Sequence, residues 1–415
     1  MTSVIHTAPV VLPISTEPVA DGAVLVQDGV IAEVGPAAAL TARYPGTPVR
    51  AWRGTLLPGL VNAHTHLQYT DFEDLAAEPV TSFVSWIKKM GPRRQRFTDQ
   101  MWADSAKRGA DLLLGSGTTA CADIVTDACV LEPVAESGLT GVSYLEVVLA
   151  DDKQWAAASR AQLLEVLDRP SGRVLGISPH ALYTVGTAVF RELVALAHAR
   201  DLRLHPHLSE SEDEVVFVRD GTGPLAALAQ LFGRAYELVG MGSALSPAAQ
   251  LAEVGGLGPS THVAHGVHCD AADRALFRAH GVHVALCVRS NAVLGVGAPP
   301  VADYLADAVP VAIGTDSLAS SPSLDLLDEA RAVRELASQQ GYRHPDLAQR
   351  VVEAATRGGA LAMGGTDFGV LTPGARADFA VFDTANGPDP YRALLDSGSW
   401  THTIIAGEIV RGISR

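Results

Sequence analysis

The fold of this chain is decided by one stretch, Leu57-Pro58-Gly59-Leu60-Val61-Asn62-Ala63-His64-Thr65-His66. An apolar run that contains a Pro-Gly step and ends in two histidines one residue apart is typical of a β-strand that carries a metal site. Side chains two positions apart on a strand point the same way, so His64 and His66 can reach one ion. An isolated His-x-His pair is more often two partly exposed polar residues. The question is therefore whether later strands also end in metal-ligating side chains.

Later strand-like runs do end this way. The apolar, β-branched runs 202–207, 261–265 and 309–316 close with His207, His265 and Asp316. A (β/α)8 barrel carries its active site at the carboxyl ends of its strands. The combined pattern predicts such a barrel with a metal site at that end.

Several segments resemble a known family. The first set is Pro58-Gly59-Leu60-Val61-Asn62-Ala63-His64-Thr65-His66, His207-Leu208-Ser209-Glu210, His265-Gly266-Val267-His268 and Gly314-Thr315-Asp316-Ser317. Nearly end to end, the chain resembles the amidohydrolase superfamily, in its branch of cytosine, guanine and adenosyl-type deaminases. A second set is Cys287-Val288-Arg289-Ser290-Asn291, Phe83-Val84-Ser85-Trp86 and Ser317-Leu318-Ala319-Ser320. Within that branch, this set most resembles the aminodeoxyfutalosine deaminases of menaquinone biosynthesis.

Composition limits the class of partner. Among 415 residues, 31 Lys and Arg face 46 Asp and Glu, a net charge of −15, which argues against nucleic acid and anionic membranes as partners. The four cysteines form no CxxC pair, so a reducing compartment is expected. There is no basic signal-peptide start and no uncharged apolar run of membrane-spanning length. We expect a cytoplasmic enzyme with a small-molecule substrate, and homo-oligomerisation is left open.

Both ends of the chain are predicted to be rich in β-strands, and strands are predicted to alternate with helices in the region between them. The run 23–35 is predicted as a hairpin that turns at Asp28-Gly29, and the runs 377–383 and 401–412 repeat this style. Residues 1–56 and 366–415 are therefore predicted to form one small β-sandwich, with a (β/α)8 TIM-type barrel of residues 57–365 inserted between them. The barrel strands are predicted at 57–66, 118–124, 142–149, 174–179, 203–208, 261–266, 282–287 and 310–316.

The resemblance also implies the metal ligands. Binuclear members of the superfamily use a carboxylated lysine on the fourth strand, but no lysine of this chain lies near that strand end, so one metal is expected. The implied ligands are His64, His66, His207 and Asp316, and His265 either ligates the metal or bonds the attacking water. Zn²⁺ suits imidazole and carboxylate ligands, and Fe²⁺ accepts the same set.

Glu210 is the predicted proton shuttle. It lies three residues after His207, just past the strand end, where it could protonate a ring nitrogen and pass a proton to the leaving amine. Asp316 is expected to touch the metal and accept a proton from water. Taken alone, Glu210 would be interpreted as one of several surface acids. The His-x-x-Glu spacing favours a catalytic role instead.

Substrate contacts are predicted on three segments. His180, in Ser178-Pro179-His180-Ala181-Leu182-Tyr183-Thr184, resembles the adenosine-type motif that meets the sugar or base, although the family usually has Pro where this chain has Leu182. Ser85 and Trp86 are further candidates. A substrate carboxylate would need a cation, and the candidates are Arg289 and an arginine of the basic run 88–96. His205 is expected to have a packing role or to support a metal ligand.

Together these expectations predict a metal-dependent deaminase, and most specifically one that acts on aminodeoxyfutalosine. A methylthioadenosine, adenosylhomocysteine, adenosine or other purine deaminase is the main alternative, and a triazine-type hydrolase is a weaker one. A catalytically silent scaffold with the same fold is the non-enzymatic alternative, which the ligand set and Glu210 disfavour.

Overall fold

A computed structural model of the protein describes residues 3–385 and 387–413. Its strands, in chain order, are β1 (Ser3–Val11), β2 (Val19–Gln27), β3 (Val30–Pro36), β4 (Val49–Ala51), β5 (Thr55–Pro58), β6 (Leu60–Thr65), β7 (Thr118–Val125), β8 (Thr140–Val147), β9 (Val174–Pro179), β10 (His207–Leu208), β11 (His262–His265), β12 (His283–Leu286), β13 (Val311–Ile313), β14 (Phe379–Asp383), β15 (Ser399–Ile405) and β16 (Glu408–Gly412).

Helices connect many of these strands. In chain order they are α1 (Ala37–Arg43), α2 (Glu73–Ala77), α3 (Phe83–Arg94), α4 (Asp99–Leu114), α5 (Leu131–Glu136), α6 (Asp152–Gln154), α7 (Arg160–Leu167), α8 (Thr187–Ala199), α9 (Glu212–Asp220), α10 (Gly223–Leu231), α11 (Pro247–Glu253), α12 (Ala271–His280), α13 (Val288–Leu294), α14 (Val301–Ala306), α15 (Leu326–Gln339), α16 (Leu347–Glu353), α17 (Gly359–Ala362) and α18 (Pro390–Ser397). Within the described residues, none of these helices has the length and apolarity needed to cross a bilayer.

Both ends of the chain contribute to one sheet. Within residues 3–385 and 387–413 its order is β16-β15-β14-β5-β1-β2-β3, and β4 pairs with β1. β2 and β3 form the predicted hairpin, because Asp28 and Gly29 adopt φ angles of 49° and 79°, as the tight turn requires. β5 lies directly before the strand with the two histidines and pairs antiparallel with β14. The two termini therefore share one hydrogen-bonded sheet.

The central region contains two parallel sheets, β6-β7-β8-β9 and β10-β11-β12-β13. Single parallel bridges from Leu204 to Ile177 of β9 and to Thr261 before β11 connect the two sheets. On the other side, the N–H of Asp316 donates to the carbonyl of His64 (3.0 Å), so the end of β13 lies against β6. The fold is mixed α/β, as the alternating pattern predicts.

The predicted central strands overlap observed ones, with one notable difference. The strand predicted over 203–208 is regular only at β10, and Leu204 joins its neighbours by single bridges. Pro206 explains the interruption, since proline has no N–H to donate to a strand ladder. The buried strands pack against the surrounding helices in one large apolar core, which holds the strand ends in place.

Candidate active site

Five predicted site residues meet at the carboxyl ends of β6, β10, β11 and β13. Nε2 of His66 lies 3.2 Å from Nε2 of His207, and Oδ1 of Asp316 lies 3.6 Å from Nε2 of both His64 and His66. Ligand atoms of His64, His265 and Asp316 also lie within 4.8 Å of one another. All five side chains are buried, so the structure brings the predicted residues into one enclosed cluster.

The backbone turns sharply where these strands end. Ser209, His265 and Asp316 adopt φ angles of 53°, 75° and 58°, in the left-handed region that non-glycine residues rarely occupy. Ser209 follows β10, His265 ends β11, and Asp316 follows β13. Such conformations cost free energy and persist where the surroundings over-determine them, as at functional sites. Here they redirect the chain as it leaves the strands around the cluster.

A chain of imidazoles sets the proton position on His64. Nδ1 of His205 faces the carbonyl oxygen of His262 (3.0 Å) and must donate to it, so Nε2 of His205 is left as an acceptor. That acceptor lies 2.9 Å from Nδ1 of His64, which therefore carries the proton. His262 in turn donates from Nε2 to the carbonyl of Ala63 (3.1 Å) and stacks on His205. The lone pair of His64 is consequently on Nε2, the atom that faces Asp316.

The cluster fits a divalent cation. Nδ1 of His207 donates to the carbonyl of His180 (3.1 Å), so its lone pair is also on Nε2, towards His66. Nε2 of His64 is buried with no hydrogen-bond partner, an arrangement that is costly unless a cation binds there. Burial lowers the pKa of His64 to about 3 and that of His207 well below its usual range, so both rings are neutral, as metal ligation requires. The cluster is a divalent-metal site.

The two carboxylate oxygens of Asp316 have different partners. Oδ2 accepts hydrogen bonds from the hydroxyls of Ser290 (2.6 Å) and Ser320 (2.8 Å), whereas Oδ1 faces His64 and His66. Hydrogen bonds donated by two hydroxyls favour the ionised form of this carboxyl group. An ionised carboxylate is therefore held beside the imidazoles.

Glu210 and His265 form the other wall of the cluster. Oε1 of Glu210 lies 3.6 Å from Nε2 of His265. Burial, with the nearby charges of Asp316 and Glu214, raises the pKa of Glu210 well above its usual range, so this carboxyl can carry a proton. The amide nitrogen of Asn291 lies 3.1 Å from Nδ1 of His265 and donates to it, which puts the imidazole proton on Nε2. His265 can thus donate a hydrogen bond into the cluster.

A cavity of about 370 Å³ opens onto this cluster. Most of its wall is apolar or aromatic, and His180 lies in the wall beside His207, with a ring-to-ring distance of 4.6 Å. Trp86 also lines it and donates its indole N–H to the carbonyl of Ala319 (3.0 Å). The size and lining are those of a site for a small organic molecule.

Two predicted substrate contacts do not line this cavity. Ser85 is in the first turn of α3, where it closes a capping box with Ser82. The guanidinium of Arg289 donates to Ser323 (3.0 Å), and its backbone N–H donates to Glu329 (2.9 Å). Local helix capping and a neighbouring acid therefore account for both residues. Arg94, from the basic run, does line the cavity.

Sequence reasoning missed several supporting groups. Ser290 and Ser320 lie within segments that carried the family resemblance, and that was the available signal for them. His262 gave no signal, because its partner His205 is 57 residues away in the chain. Glu146, which lines the cavity from the end of β8, is one acid among many until the strand order is known.

Comparison with known proteins identifies the family. Residues 55–410 match the amidohydrolase family, and residues 22–46 match an imidazolonepropionase-like composite domain of bacteria. The chain belongs to the amidohydrolase family.

Similar proteins include several deaminases. A 5-methylthioadenosine/S-adenosylhomocysteine deaminase of Haloarcula marismortui is 33% identical over 80% of this chain and 73% of the relative. An aminodeoxyfutalosine deaminase of Deinococcus radiodurans is 31% identical over 83% of this chain and 82% of the relative. A solved structure of an adenosine deaminase from Xanthomonas campestris with bound zinc has a TM-score of 0.81 and 26% identity, and covers 98% of this chain and 92% of that one.

Proposed function

We propose that this member of the amidohydrolase family is a zinc-dependent hydrolase of carbon–nitrogen bonds that removes the 6-amino group of an adenine-type nucleoside and releases ammonia. The observation that carries the proposal is the buried carboxyl group of Glu210, 3.6 Å from Nε2 of His265, beside an imidazole and carboxylate cluster at the base of a cavity. The similarity to deaminases that are 33% and 31% identical supports the same reaction.

The ligands in this proposal are His64, His66, His207 and Asp316. When bound, a divalent ion supplies Lewis acidity that brings the pKa of a coordinated water down to about 7. Iron is the alternative to zinc, because it accepts the same ligand types.

The chain's own residues then move the protons. His265 donates from Nε2 to the attacking water and orients it, and Asp316 accepts one of the water's protons as the oxygen adds to ring carbon 6. Glu210 gives its proton to the adjacent ring nitrogen. The proton on Asp316 passes to the amino group, the carbon–nitrogen bond breaks, and ammonia leaves. Glu210 recovers its proton from the new hydroxyl as the carbonyl forms.

The finer architecture is part of the proposal. The two parallel sheets are taken as one (β/α)8 barrel formed by residues 57–365, which the bridges at Leu204 and the hydrogen bond from Asp316 to His64 support. Residues 1–56 and 366–415 are taken as a small β-sandwich. An apolar cluster shared by β1–β3, β5, β14 and β15 supports that assignment.

The finer substrate we propose is aminodeoxyfutalosine, a step of menaquinone biosynthesis. Its distal group is a benzoate, which combines an aromatic ring with a carboxylate. Helix α3 presents Phe83, Ile87, Met90 and Arg94 along one face, and all four line the cavity. An apolar stripe that ends in an arginine suits an aryl carboxylate.

A methylthioadenosine or adenosylhomocysteine deaminase is the second candidate. Arg94 already donates to Asp127 (2.8 Å), and Leu225, Leu228 and Phe232 extend the apolar part of the wall. An uncharged methylthio group would need only these apolar side chains for binding.

A substrate panel tests these proposals. Ammonia release would be measured for adenosine, methylthioadenosine, adenosylhomocysteine and aminodeoxyfutalosine, with zinc and iron quantified in the same preparation. We expect turnover that chelation removes and zinc restores, fastest with aminodeoxyfutalosine. A faster rate with another nucleoside would support the deamination reaction but would reject the assignment to menaquinone biosynthesis. Silence of the zinc-loaded protein with every nucleoside would reject the deaminase and favour a triazine-type hydrolase or a silent scaffold.

A further inference from the structure

Glu146 is a buried carboxylate that the proposed reaction does not use. It lies near the end of β8 and lines the cavity, and its side chain is 4% exposed. Its Oε2 accepts a hydrogen bond from the hydroxyl of Thr126 (2.6 Å). Its Oε1 has no hydrogen-bond partner in the described part of the chain. A buried acceptor without a donor is costly, so a ligand that supplies a donor is expected at this position.

The neighbouring imidazole presents a second acceptor. Nε2 of His180 lies 4.0 Å from Oε1 of Glu146. The hydroxyl of Thr184 gives its proton to the carbonyl of Ala181 (3.2 Å), so the 2.8 Å contact between Thr184 and Nδ1 of His180 requires the proton on Nδ1. The lone pair of His180 is therefore on Nε2, towards Glu146. Two acceptor atoms face each other across a gap that lacks a donor.

The position of this pair relative to the reaction site indicates its ligand. The ring of His180 stacks on that of His207 at 4.6 Å, so the pair is close beside the metal ligands. In a nucleoside, the ribose is the group next to the purine, and its vicinal hydroxyls supply two adjacent donors. A metal ion could also be held by Glu146, His180 and His207, whose ligand atoms lie within 4.8 Å of one another, but Nε2 of His207 already serves the proposed catalytic metal site.

We propose that Glu146 and His180 bind the 2′- and 3′-hydroxyls of the substrate's ribose, and that Glu146 makes the enzyme selective for ribonucleosides. The inference rests on the proposed nucleoside deaminase function, but it does not depend on which 5′ substituent the substrate carries. Hydrogen bonds to a charged group are among the stronger ones, so the loss of this contact should be measurable.

The test compares adenosine with 2′-deoxyadenosine, 3′-deoxyadenosine and 2′,3′-dideoxyadenosine on the zinc-loaded enzyme. We expect kcat/KM of the wild type to fall by about 10- to 100-fold as the hydroxyls are removed. Glu146→Gln should lose a similar factor with adenosine and less than about threefold with the dideoxy substrate. Glu192→Gln is the matched control, because that exposed acid bonds Arg160 and Trp155 and does not line the cavity. Zinc content and Tm of each variant show that it is folded.

The outcomes are distinguishable. Equal kcat/KM of the wild type for adenosine and dideoxyadenosine would overturn the ribose assignment and leave the deaminase standing, even if Glu146→Gln failed to fold. An equal loss by Glu146→Gln with both substrates would also overturn it. Absence of turnover by the wild type with every nucleoside, including those of the earlier panel, would reject the deaminase function itself, and the ribose assignment with it.

Discussion

Glu210 is the residue on which the proposed chemistry depends most directly. Gln at this position keeps the shape of the side chain but has no proton to give to a ring nitrogen. We expect Glu210→Gln to lower kcat by about 10³-fold, within the range for general acids, with metal content unchanged. Steady-state ammonia release and metal analysis of the same preparation measure both quantities.

The pH profile adds a second readout for Glu210. Its pKa is raised well above the usual range by burial and by the charges of Asp316 and Glu214, so it keeps its proton to higher pH than an ordinary carboxyl group. As pH rises through this raised pKa, the acid loses its proton and kcat should fall. Glu212→Gln is the control, because that residue is exposed and outside the cavity. A kcat for Glu210→Gln within threefold of wild type would contradict the role.

His205 contacts the proposed metal ligand His64, and we expect it to orient that ring without touching the metal. Leu in its place would remove the acceptor that holds the Nδ1 proton of His64, and the orientation of the His64 ring would no longer be set. We expect His205→Leu to weaken zinc binding by about 10- to 100-fold, measured by competition with a chelator. His6→Leu is the control, since His6 is a buried histidine of β1 that accepts a hydrogen bond from Trp52 and is not part of this chain of imidazoles. Equal zinc affinities of the two variants would disprove the role.

The residues of the site differ in how far sequence could predict them. His64, His66, His207 and Asp316 are each marked by a local signal, a polar ligand at the end of an apolar run. A supporting role was predicted for His205, but the ligand it supports could not be, because the contact between His64 and His205 joins residues 141 positions apart. Ser85 and Arg289 have suitable chemistry in suitable segments, but helix capping and a neighbouring acid direct them elsewhere.

At the scale of elements, the approach of β13 to β6 positions two segments that carry proposed metal ligands. A Cβ on Gly314 would lie 2.6 Å from Cβ of His64 and 2.8 Å from its backbone nitrogen. Gly314→Ala should therefore separate the strands, lowering the free energy of unfolding by about 1–3 kcal/mol, and should weaken zinc binding. Urea unfolding and zinc titration measure these changes. Gly258→Ala, where a Cβ meets open space, should change stability by less than about 0.5 kcal/mol. Equal stability of the two variants would contradict this account of the strand contact.

Helix α3 is the element that should distinguish substrates. Arg94→Gln removes the cation at the end of its apolar face, so we expect kcat/KM for aminodeoxyfutalosine to fall by about 10-fold or more and that for adenosine to stay within threefold. Arg93→Gln on the same helix is the matched control, because Arg93 pairs with Asp74 and does not line the cavity. Parallel losses on both substrates would show that Arg94 has a structural role through Asp127 instead.

The existence of the central strands could be predicted better than the residues at which they begin and end. Alternation of apolar and helical runs located the central strands, because burial on both faces leaves a strong local pattern. The strand predicted over 203–208 shrinks to β10, where Pro206 and the bridges at Leu204 decide the pairing. The left-handed conformation at His265 belongs to a non-glycine residue, so the direction of the chain there could not be predicted from residue type.

At the scale of the whole molecule, burial of ionisable groups sets the pH dependence of stability. Burial lowers the pKa of His6 and His283 to about 4, so their contribution to stability is present above pH 6.5 and is lost as pH falls. Burial raises the pKa of Asp123 to about 7 and that of Glu329 to about 8. The contribution of these acids is present at low pH and is lost as pH rises through those values.

Below pH 6.5, a rise in pH increases the stability contribution of the histidines and decreases that of the acids. Above pH 6.5, only the contribution of the acids continues to change. We therefore expect Tm of the metal-free protein to fall between pH 6.5 and pH 8, a window given by the usual pKa of histidine and the raised pKa of Glu329. Glu329→Gln keeps an acceptor for the backbone N–H of Arg289 but cannot ionise, so its Tm should fall less steeply. Glu335→Gln, at an exposed position, should follow the wild type. A Tm that rises across this window, or equal slopes for Glu329→Gln and wild type, would show that buried acids do not control stability here.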